Sequence, residues 1–357
     1  MKLVRRAFLL LLVSGAVFAE DIEVVGSIEQ SLPLTNFYSQ RDISQAVNQV
    51  TLLKIELSDA AREKIDSRAD DALNSSQDIL TDELSNTKGK TQLGMGAVPV
   101  LDQGQHGTCV TFAVTAALDA ALGKGDYLSQ LCPLQLGRYL ESNAYTHSGW
   151  NGSNGGISLN QLSLFGFISK AEQNRSGCGG LTDYPLEGGD KPGTEMTPLE
   201  YHKISEKMKP DVVGWSVILD IYHVFLDKTN MADVLNQVKI TLDAGDRLTF
   251  GVILPAVDKG VAGAVGRYHA AYDSWVLTPE IIDEMKTQKD FSAHELIITG
   301  YDDNAVAKDK SGTKHKGLLT LRNSWGSKIG DKGDFYMSYD YFKALTYEAQ
   351  RIRHVPS

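Results

Sequence analysis

The sequence predicts an α+β protein in which a helix-rich part of the main domain is followed by a strand-rich part. Residues 108–122 are rich in alanine and stop at Gly123, as a helix with a glycine C-cap does. Residues 294–301, 317–322 and 334–339 have the composition of three strands joined by polar loops, which predicts an antiparallel sheet. Unlike halves of this kind favour two lobes with a functional cleft between them.

Length and composition are those of an ordinary globular protein. The 357 residues allow a signal segment, a small accessory region and one domain with a substantial core. Hydrophobic residues make up 42% and charged residues 22%, which excludes a disordered or fibrous chain but fits an enzyme and a binding module equally well. The formal charge of -10 would repel phosphate backbones, so we expect no nucleic-acid partner.

Residues 1–19 have the organisation of a signal peptide. Lys2, Arg5 and Arg6 precede a short apolar run, and a small-residue cleavage site ends at Ala19. The alternative is a membrane anchor, but the apolar run is well short of the roughly 20 residues that span a bilayer. We therefore expect export to the periplasm or the cell exterior, including delivery to a host, with no membrane attachment after cleavage.

Residues 20–92 differ in composition from the rest and are predicted to be an inhibitory propeptide or an accessory region. This region is charged and almost free of glycine. A strand is predicted over 50–57, and a helix with a Ser-Asp cap over 60–73. Residues 88–95 have the composition of a linker to the main domain, which we place at 93–357.

The three cysteines are too few for a disulfide framework, and their odd number leaves a free thiol in an exported protein. Pairing of Cys132 with Cys178 would leave Cys109 free, although nothing in their spacing requires it. Cys109 lies at the start of the predicted helix, where amide donors and the helix dipole stabilise a thiolate and lower the thiol pKa. The alternative is a small buried hydrophobic residue.

Residues 98–113 resemble the segment of papain-like cysteine peptidases that carries the oxyanion glutamine and the nucleophile. Gln103 and Cys109 match that segment in order and spacing. The resemblance implies a papain-like two-lobed fold, with a helical left lobe and an antiparallel right lobe, and a reaction without a cofactor. It also implies that the Gln103 side-chain amide and the Cys109 backbone amide bind the developing oxyanion.

Two further motifs follow in the order that this family requires. His294 precedes an apolar strand ending in Gly-Tyr, and Asn323 opens an Asn-Ser-Trp-Gly string that includes Trp325. Separately, these motifs could be a core histidine and a turn. The resemblance implies that His294 takes the thiol proton and donates it to the leaving amine. It also implies that Asn323 orients the imidazole and that Trp325 shields their bond from water.

Residues 152–156 resemble the glycine-rich loop along the family's cleft, where exposed backbone pairs with an extended substrate. The resemblance makes Gly155, Gly156, Ala293 and Trp325 candidate substrate-binding residues. The alternative for the glycine segment is an ordinary surface turn, in which Asn-Gly strings are common.

The chain also departs from the family pattern. His106 and Ser153 stand where the family usually has a bridged pair of cysteines, so local rigidity there is in doubt. One histidine and one cysteine do not complete a zinc site, so we expect no metal at His106. The nucleophile and the histidine are 185 positions apart, against roughly 130 in papain. This difference implies insertions, at 188–229 and 261–291, that could shape or cover the cleft.

The sequence thus predicts an exported, monomeric papain-like cysteine peptidase that hydrolyses protein or peptide substrates through a Cys109 thioester. We expect a zymogen whose own N-terminal region is an intramolecular inhibitor. Two alternatives remain open: an acyltransferase with the same triad, and a catalytically silent effector or binding protein that retains the fold. Glu295 would favour basic substrate residues if it pointed into the cleft, but strand alternation leaves its direction open.

Overall fold

A computed structural model describes most of the chain. The described residues are 21–33, 47–75, 87–189, 191–209, 212–226, 228–255, 263, 265–267, 270, 272–288 and 291–354. The predicted signal peptide lies outside them. Within them, most helices precede most strands of the main domain, which confirms the α+β class. The helices are α1 (Asp59–Ser75), α2 (Cys109–Leu122), α3 (Leu131–Ser142), α4 (Gly155–Phe165), α5 (Lys170–Ser176), α6 (Pro198–Ile204), α7 (Met231–Asp243), α8 (Pro279–Thr287) and α9 (Tyr339–Leu345).

The right lobe is built on a largely antiparallel sheet of ten strands in the described part of the chain. Its main path runs β4-β10-β5-β7-β8-β9-β6, while β2 and β3 each pair with β7, and β1 pairs with β2. Only β6 and β9 pair in parallel among these. The strands are β1 (Ile22–Pro33), β2 (Val47–Leu57), β3 (Lys90–Gln92), β4 (Val213–Leu219), β5 (Arg247–Ile253), β6 (Ser274–Trp275), β7 (Phe291–Lys308), β8 (Lys314–Arg322), β9 (Asp334–Ser338) and β10 (Thr346–His354).

The left lobe is helical and has its own apolar core. Trp150 and Tyr201 are fully buried there, together with residues of α3. Cys132 and Cys178 form a disulfide within this core, with their Cα atoms 5.1 Å apart, which confirms the pairing considered from the sequence. Because that bond takes up two of the three thiols, Cys109 is the free cysteine.

Helix α2 lies between the lobes and packs against β5 and β7. Its fourteen residues match the predicted helix, and Gly123 ends it in the left-handed conformation, with φ at 65°. Thr108, the residue before the helix, makes no side-chain capping bond, so the first-turn amides stay available to other acceptors. The packing of α2 brings its N-terminus, and with it Cys109, to β7.

The N-terminal region forms a β-hairpin followed by a helix. Strand β2 and helix α1 confirm the predicted strand and helix, and Ser58 accepts the first-turn amide of Ala61. Strand β1 was not predicted. The fully buried Leu52, Leu53 and Ile55 belong to the same apolar core as α2 and the sheet. The region is therefore packed into the main body of the described protein.

The predicted linker and the described residues of the predicted insertions belong to the sheet and its surroundings. Within 88–95, β3 pairs with β7, because backbone groups that a free linker would expose to water find partners there. The first insertion contributes α6 and β4, and β4 extends the sheet beside β10. The second contributes β6 and α8. None of the described helices is long and apolar enough to cross a bilayer.

Candidate active site

Cys109 is the first residue of α2 and is fully buried. Backbone amides of Cys109 and Val110 hydrogen-bond to the sulfur, as the helix-start argument requires, and so does the amide of Glu295 on β7. Glu295 directly follows His294 in the sequence. The bond from its amide therefore places the sulfur beside the strand that carries the predicted base.

The expected lowering of the thiol pKa is wrong for this structure. Burial raises the pKa of Cys109 to about 12, and this effect exceeds the lowering caused by the amides of Glu295, Val110 and Cys109 itself. A thiolate removed from water loses more solvation than a few amides restore. In the described conformation Cys109, the predicted nucleophile, is therefore a neutral thiol.

His294 has the hydrogen bond predicted for the base of a papain-like site. Its Nε2 lies 2.8 Å from Oδ1 of Asn323, which directly follows β8. Its Nδ1 is buried and has no hydrogen-bond partner in the described part of the chain, so this nitrogen is free to take the thiol proton. Burial lowers the pKa of His294 to about 4, and the bond to Asn323 opposes that shift. The imidazole is therefore neutral at pH 7.

Trp325 covers this pair as predicted. Its ring stacks on the His294 ring with the centroids 4.6 Å apart, and Trp325 and Asn323 are 5% and 3% exposed. The stacked indole keeps water from the bond between His294 and Asn323. A hydrogen bond sheltered from water is stronger than an exposed one, which favours a fixed ring orientation.

Gln103 is fully buried and tied to the asparagine segment. Its backbone amide donates to the carbonyl of Ser324 at 2.8 Å, and its Oε1 accepts from the Ser324 hydroxyl at 2.7 Å. These bonds hold the predicted oxyanion residue and the predicted base-orienting residue in one unit. The role of Ser324 was not predicted, because only its place beside Asn323 marked it in the sequence.

The hydrogen bonds donated by the side-chain nitrogen of Gln103 were not predicted from the sequence. Nε2 donates to the backbone carbonyl of Thr51 in β2 at 3.0 Å, and to that of His106 at 2.9 Å. The donor predicted to bind an oxyanion is thus occupied by a carbonyl oxygen of the N-terminal hairpin. No motif in 20–92 could have shown this, because it depends on how β2 docks.

The N-terminal hairpin contacts both lobes across the cleft. On the right lobe, β2 pairs with the start of β7, with Leu53 opposite Ala293. On the left lobe, a methyl group added to Gly107 would lie 2.9 Å from Ser27, and one added to Gly152 would lie 2.4 Å from Val24. Glycine at these two positions therefore allows the hairpin to approach.

Comparison with known proteins finds a family model that matches the segment carrying the second half of this site. Residues 265–356, which include His294 and Asn323, match the model of the Peptidase C1-like family. The thiol protease aleurain of Arabidopsis thaliana is 28% identical over 248 residues, which are 67% of this chain and 52% of that protein. Aminopeptidase W of Lactobacillus delbrueckii subsp. lactis is 35% identical over 77 residues, which are 21% of this chain and 16% of that protein.

Together with the resemblance at 98–113, these findings support a divergent papain-like peptidase. Among solved structures, xylellain, a cysteine protease from Xylella fastidiosa, is 18% identical and has a TM-score of 0.45, with 76% of this chain and 87% of that chain covered. The chain spans about half or less of the length of the two curated relatives it matches.

The predicted glycine-rich loop is less open than expected. Asn154 caps α4, and Gly155 and Gly156 form its first turn. Gly155 is buried, and its amide donates to both carboxylate oxygens of Glu348 at 3.1 Å. That amide is therefore held by the protein itself in this conformation. Ala293 is fully buried and pairs with Leu53 of the hairpin. The substrate-binding roles of these residues stay predictions.

Aromatic packing fills the position where the family usually has a second disulfide. His106 is 5% exposed and meets Trp150 edge-on, with the ring centroids 5.1 Å apart. Tyr184 stacks on Trp150 at 5.8 Å, and its hydroxyl donates to the Gln103 carbonyl at 2.8 Å. This cluster links the loop before Cys109 to the left-lobe core, which supplies the rigidity that was in doubt.

Proposed function

We propose that this protein is an exported cysteine peptidase that hydrolyses peptide bonds through a thioester at Cys109. We further propose that the described conformation is its latent form, inhibited by its own N-terminal hairpin. The substrates are proteins or peptides that bind in the cleft after the hairpin leaves it.

The residues present can carry out every step of this reaction. His294 takes the Cys109 proton through Nδ1, and the sulfur attacks the substrate carbonyl carbon. The resulting oxyanion accepts hydrogen bonds from Gln103 Nε2 and the Cys109 amide. When the carbon–nitrogen bond breaks, His294 returns the proton to the leaving amine. Water then attacks the thioester with His294 as base, and the carbon–sulfur bond breaks to release the acid and the thiol.

The bond from Gln103 Nε2 to the Thr51 carbonyl is the observation that carries the proposal. A donor that binds the carbonyl oxygen of an extended strand is suited to bind that of a substrate. Because this donor is taken by the hairpin, the same bond supports latency. The shifts in pKa support latency as well, since a buried thiol and a buried imidazole do not form the reactive ion pair.

The test is to cut the full-length chain and measure peptide hydrolysis. A site for a specific protease, introduced between Ser75 and Thr87, would separate the hairpin and α1 from the main body while leaving β3 in place. We expect hydrolysis of unblocked peptides after the cut and none in the cut Cys109→Ala variant. Equal hydrolysis in both variants would exclude Cys109 as the nucleophile.

A further inference from the structure

Two glutamates lie fully buried beside the nucleophile and are not used in the reaction above. Glu295 is on β7 and Glu348 is on β10, and both are 0% exposed. A methyl group added to Gly155 would lie 3.2 Å from Oε1 of Glu295 and 3.4 Å from Oε2 of Glu348, so the two carboxyl groups converge on one point. The Glu295 carboxyl interacts with the Thr249 hydroxyl and with Glu348, but neither of its oxygens has a donor at full hydrogen-bonding distance in the described part of the chain.

No cation compensates these carboxyl groups. Neither forms an ion pair with a Lys, Arg or His residue that the structure describes. Glu348 accepts from the Gly155 amide and, at 3.4 Å, from Gln350, and it also interacts with the Glu295 carboxyl. Burial and the neighbouring Glu348 raise the pKa of Glu295 well above its ordinary value, and burial raises that of Glu348 to about 7. Burying such a pair without a counter-ion is costly, and strongly shifted carboxyl groups of this kind are concentrated at functional sites.

The pair lies at the cleft and beneath the hairpin. Side chains alternate along β7, so Glu295 shares a strand face with Ala293, which is paired with Leu53 of the hairpin. Leu53 also approaches the left lobe, because a methyl group added to Gly152 would lie 3.3 Å from its Cδ2 atom. Departure of the hairpin would therefore uncover the strand face on which Glu295 lies.

A third carboxylate stands near this point. Leu219 of β4 pairs with Ala349, which brings the next residue, Asp220, alongside Glu348. The negative charge of Asp220 raises the pKa of Glu348. The Asp220 side chain is 38% exposed, so it can meet a ligand that enters from solvent. The first insertion thus adds negative charge at the rim above the two buried carboxyl groups.

We propose that Glu295 and Glu348, with Asp220 at the rim, form an acidic subsite that binds a cationic Arg or Lys side chain of the peptide substrate. The proposal rests on the peptidase function proposed above and names part of its substrate. A guanidinium or ammonium group supplies the donors that Glu295 lacks and the positive charge that the pair lacks. In the latent form, the apolar Leu53 pairs with Ala293 on the same strand face, and the carboxyl groups have no counter-ion among the residues that the structure describes.

The test compares arginine with citrulline, which has the same shape but no charge. Peptide pairs that differ only in this residue would be offered to the cut full-length enzyme, one pair for each of the three positions before the scissile bond. Rates are normalised to the number of sites titrated by a thiol-directed epoxide. We expect kcat/KM to favour arginine by roughly 10- to 100-fold at one position, the range for a buried charge-assisted contact.

Variants then assign the preference to these residues. Glu348→Gln and Glu295→Gln should each bring the arginine-to-citrulline ratio close to 1. Asp220→Asn, a change at a partly exposed position that is less demanding for folding, should lower the ratio by roughly 2- to 5-fold through the loss of rim charge. Asp283→Asn, an exposed site on α8, removes one negative charge elsewhere and should leave the ratio unchanged.

Two results would overturn the subsite, and they differ from failure of the peptidase proposal. A ratio near 1 at all three positions in an enzyme that the epoxide titrates would mean that the glutamates only share a proton within the fold. A ratio that survives Glu348→Gln and Glu295→Gln would place the preference elsewhere. If the cut chain is neither titrated nor active, the peptidase function itself fails and the substrate subsite falls with it.

Discussion

At the scale of single residues, the proposed catalytic pair, Cys109 and His294, is in an unreactive state. Both are fully buried, and burial shifts their pKa values in opposite directions, upward for the thiol and downward for the imidazole. Each shift favours the neutral form, whereas attack on a peptide needs thiolate and imidazolium. Exposing the site to water should remove the burial that dominates both pKa shifts. The amides at the helix start would then stabilise the thiolate.

The His294 shift predicts a pH dependence of the latent protein's stability. An unfolded chain binds a proton on this residue near pH 6.5, whereas the folded chain does so only near pH 4. The free energy of unfolding should therefore fall as the pH drops through that window, by up to about 3 kcal/mol from this group. Denaturant unfolding at pH 7 and pH 4.5 should show a larger loss in the parent chain than in His294→Gln. Equal losses would contradict the shift.

Gln103 should contribute to the rate of the reaction more than to binding. Gln103→Ala removes one oxyanion donor, and we expect kcat of the cut enzyme to fall by roughly 10²- to 10³-fold with a much smaller change in KM. Gln105→Ala, an exposed glutamine in the same loop, is the matched control and should remain near the parent rate. A loss confined to KM would argue against an oxyanion role.

At the scale of secondary structure, local patterns predicted the elements that position the triad. The alanine-rich run ending at Gly123 gave α2, and the apolar strand after His294 gave β7, because both signals lie within one segment. Strands β1 and β10 were not predicted from the sequence. Glu348 and Gln350 on β10 are polar yet buried, since their environment comes from Gly155 and β7, which are distant in sequence. Non-local burial of this kind leaves no local signature.

The β2–β7 pairing predicts how the latent state can be weakened. Leu53 is fully buried opposite Ala293, so Leu53→Asp would place a charge in an apolar contact and favour release of the hairpin. We expect the uncut variant to react with iodoacetamide at pH 7 at least about tenfold faster than the parent chain, read at the single free cysteine. Glu56→Gln, on the exposed face of the same strand, is the control.

An unchanged labelling rate in a folded Leu53→Asp protein would mean that the hairpin does not limit access to Cys109. Circular dichroism of both variants would establish that they are folded. The Cys109→Ala chain supplies the blank, because Cys132 and Cys178 are joined in a disulfide and should not react.

At the scale of the whole molecule, the N-terminal region is held by both predicted insertions. Arg68 of α1 donates to the Val224 carbonyl, in the first insertion, and its guanidinium lies over the Phe225 ring at 5.4 Å. Arg62 donates to the Gln288 carbonyl, in the second insertion, at 2.7 Å. The sequence located these insertions by spacing alone. It could not show that they dock α1, because such contacts depend on the assembled fold.

The N-terminal hairpin, in the function proposed above, restrains a competent Cys109. The most direct measurement is the stoichiometry of labelling by a thiol-directed epoxide, read by intact mass on the same full-length preparation before and after the cut between Ser75 and Thr87. We predict close to one label per chain after the cut, located on Cys109, and almost none before it. Equal labelling before and after the cut, or no labelling in either state, would contradict the claim.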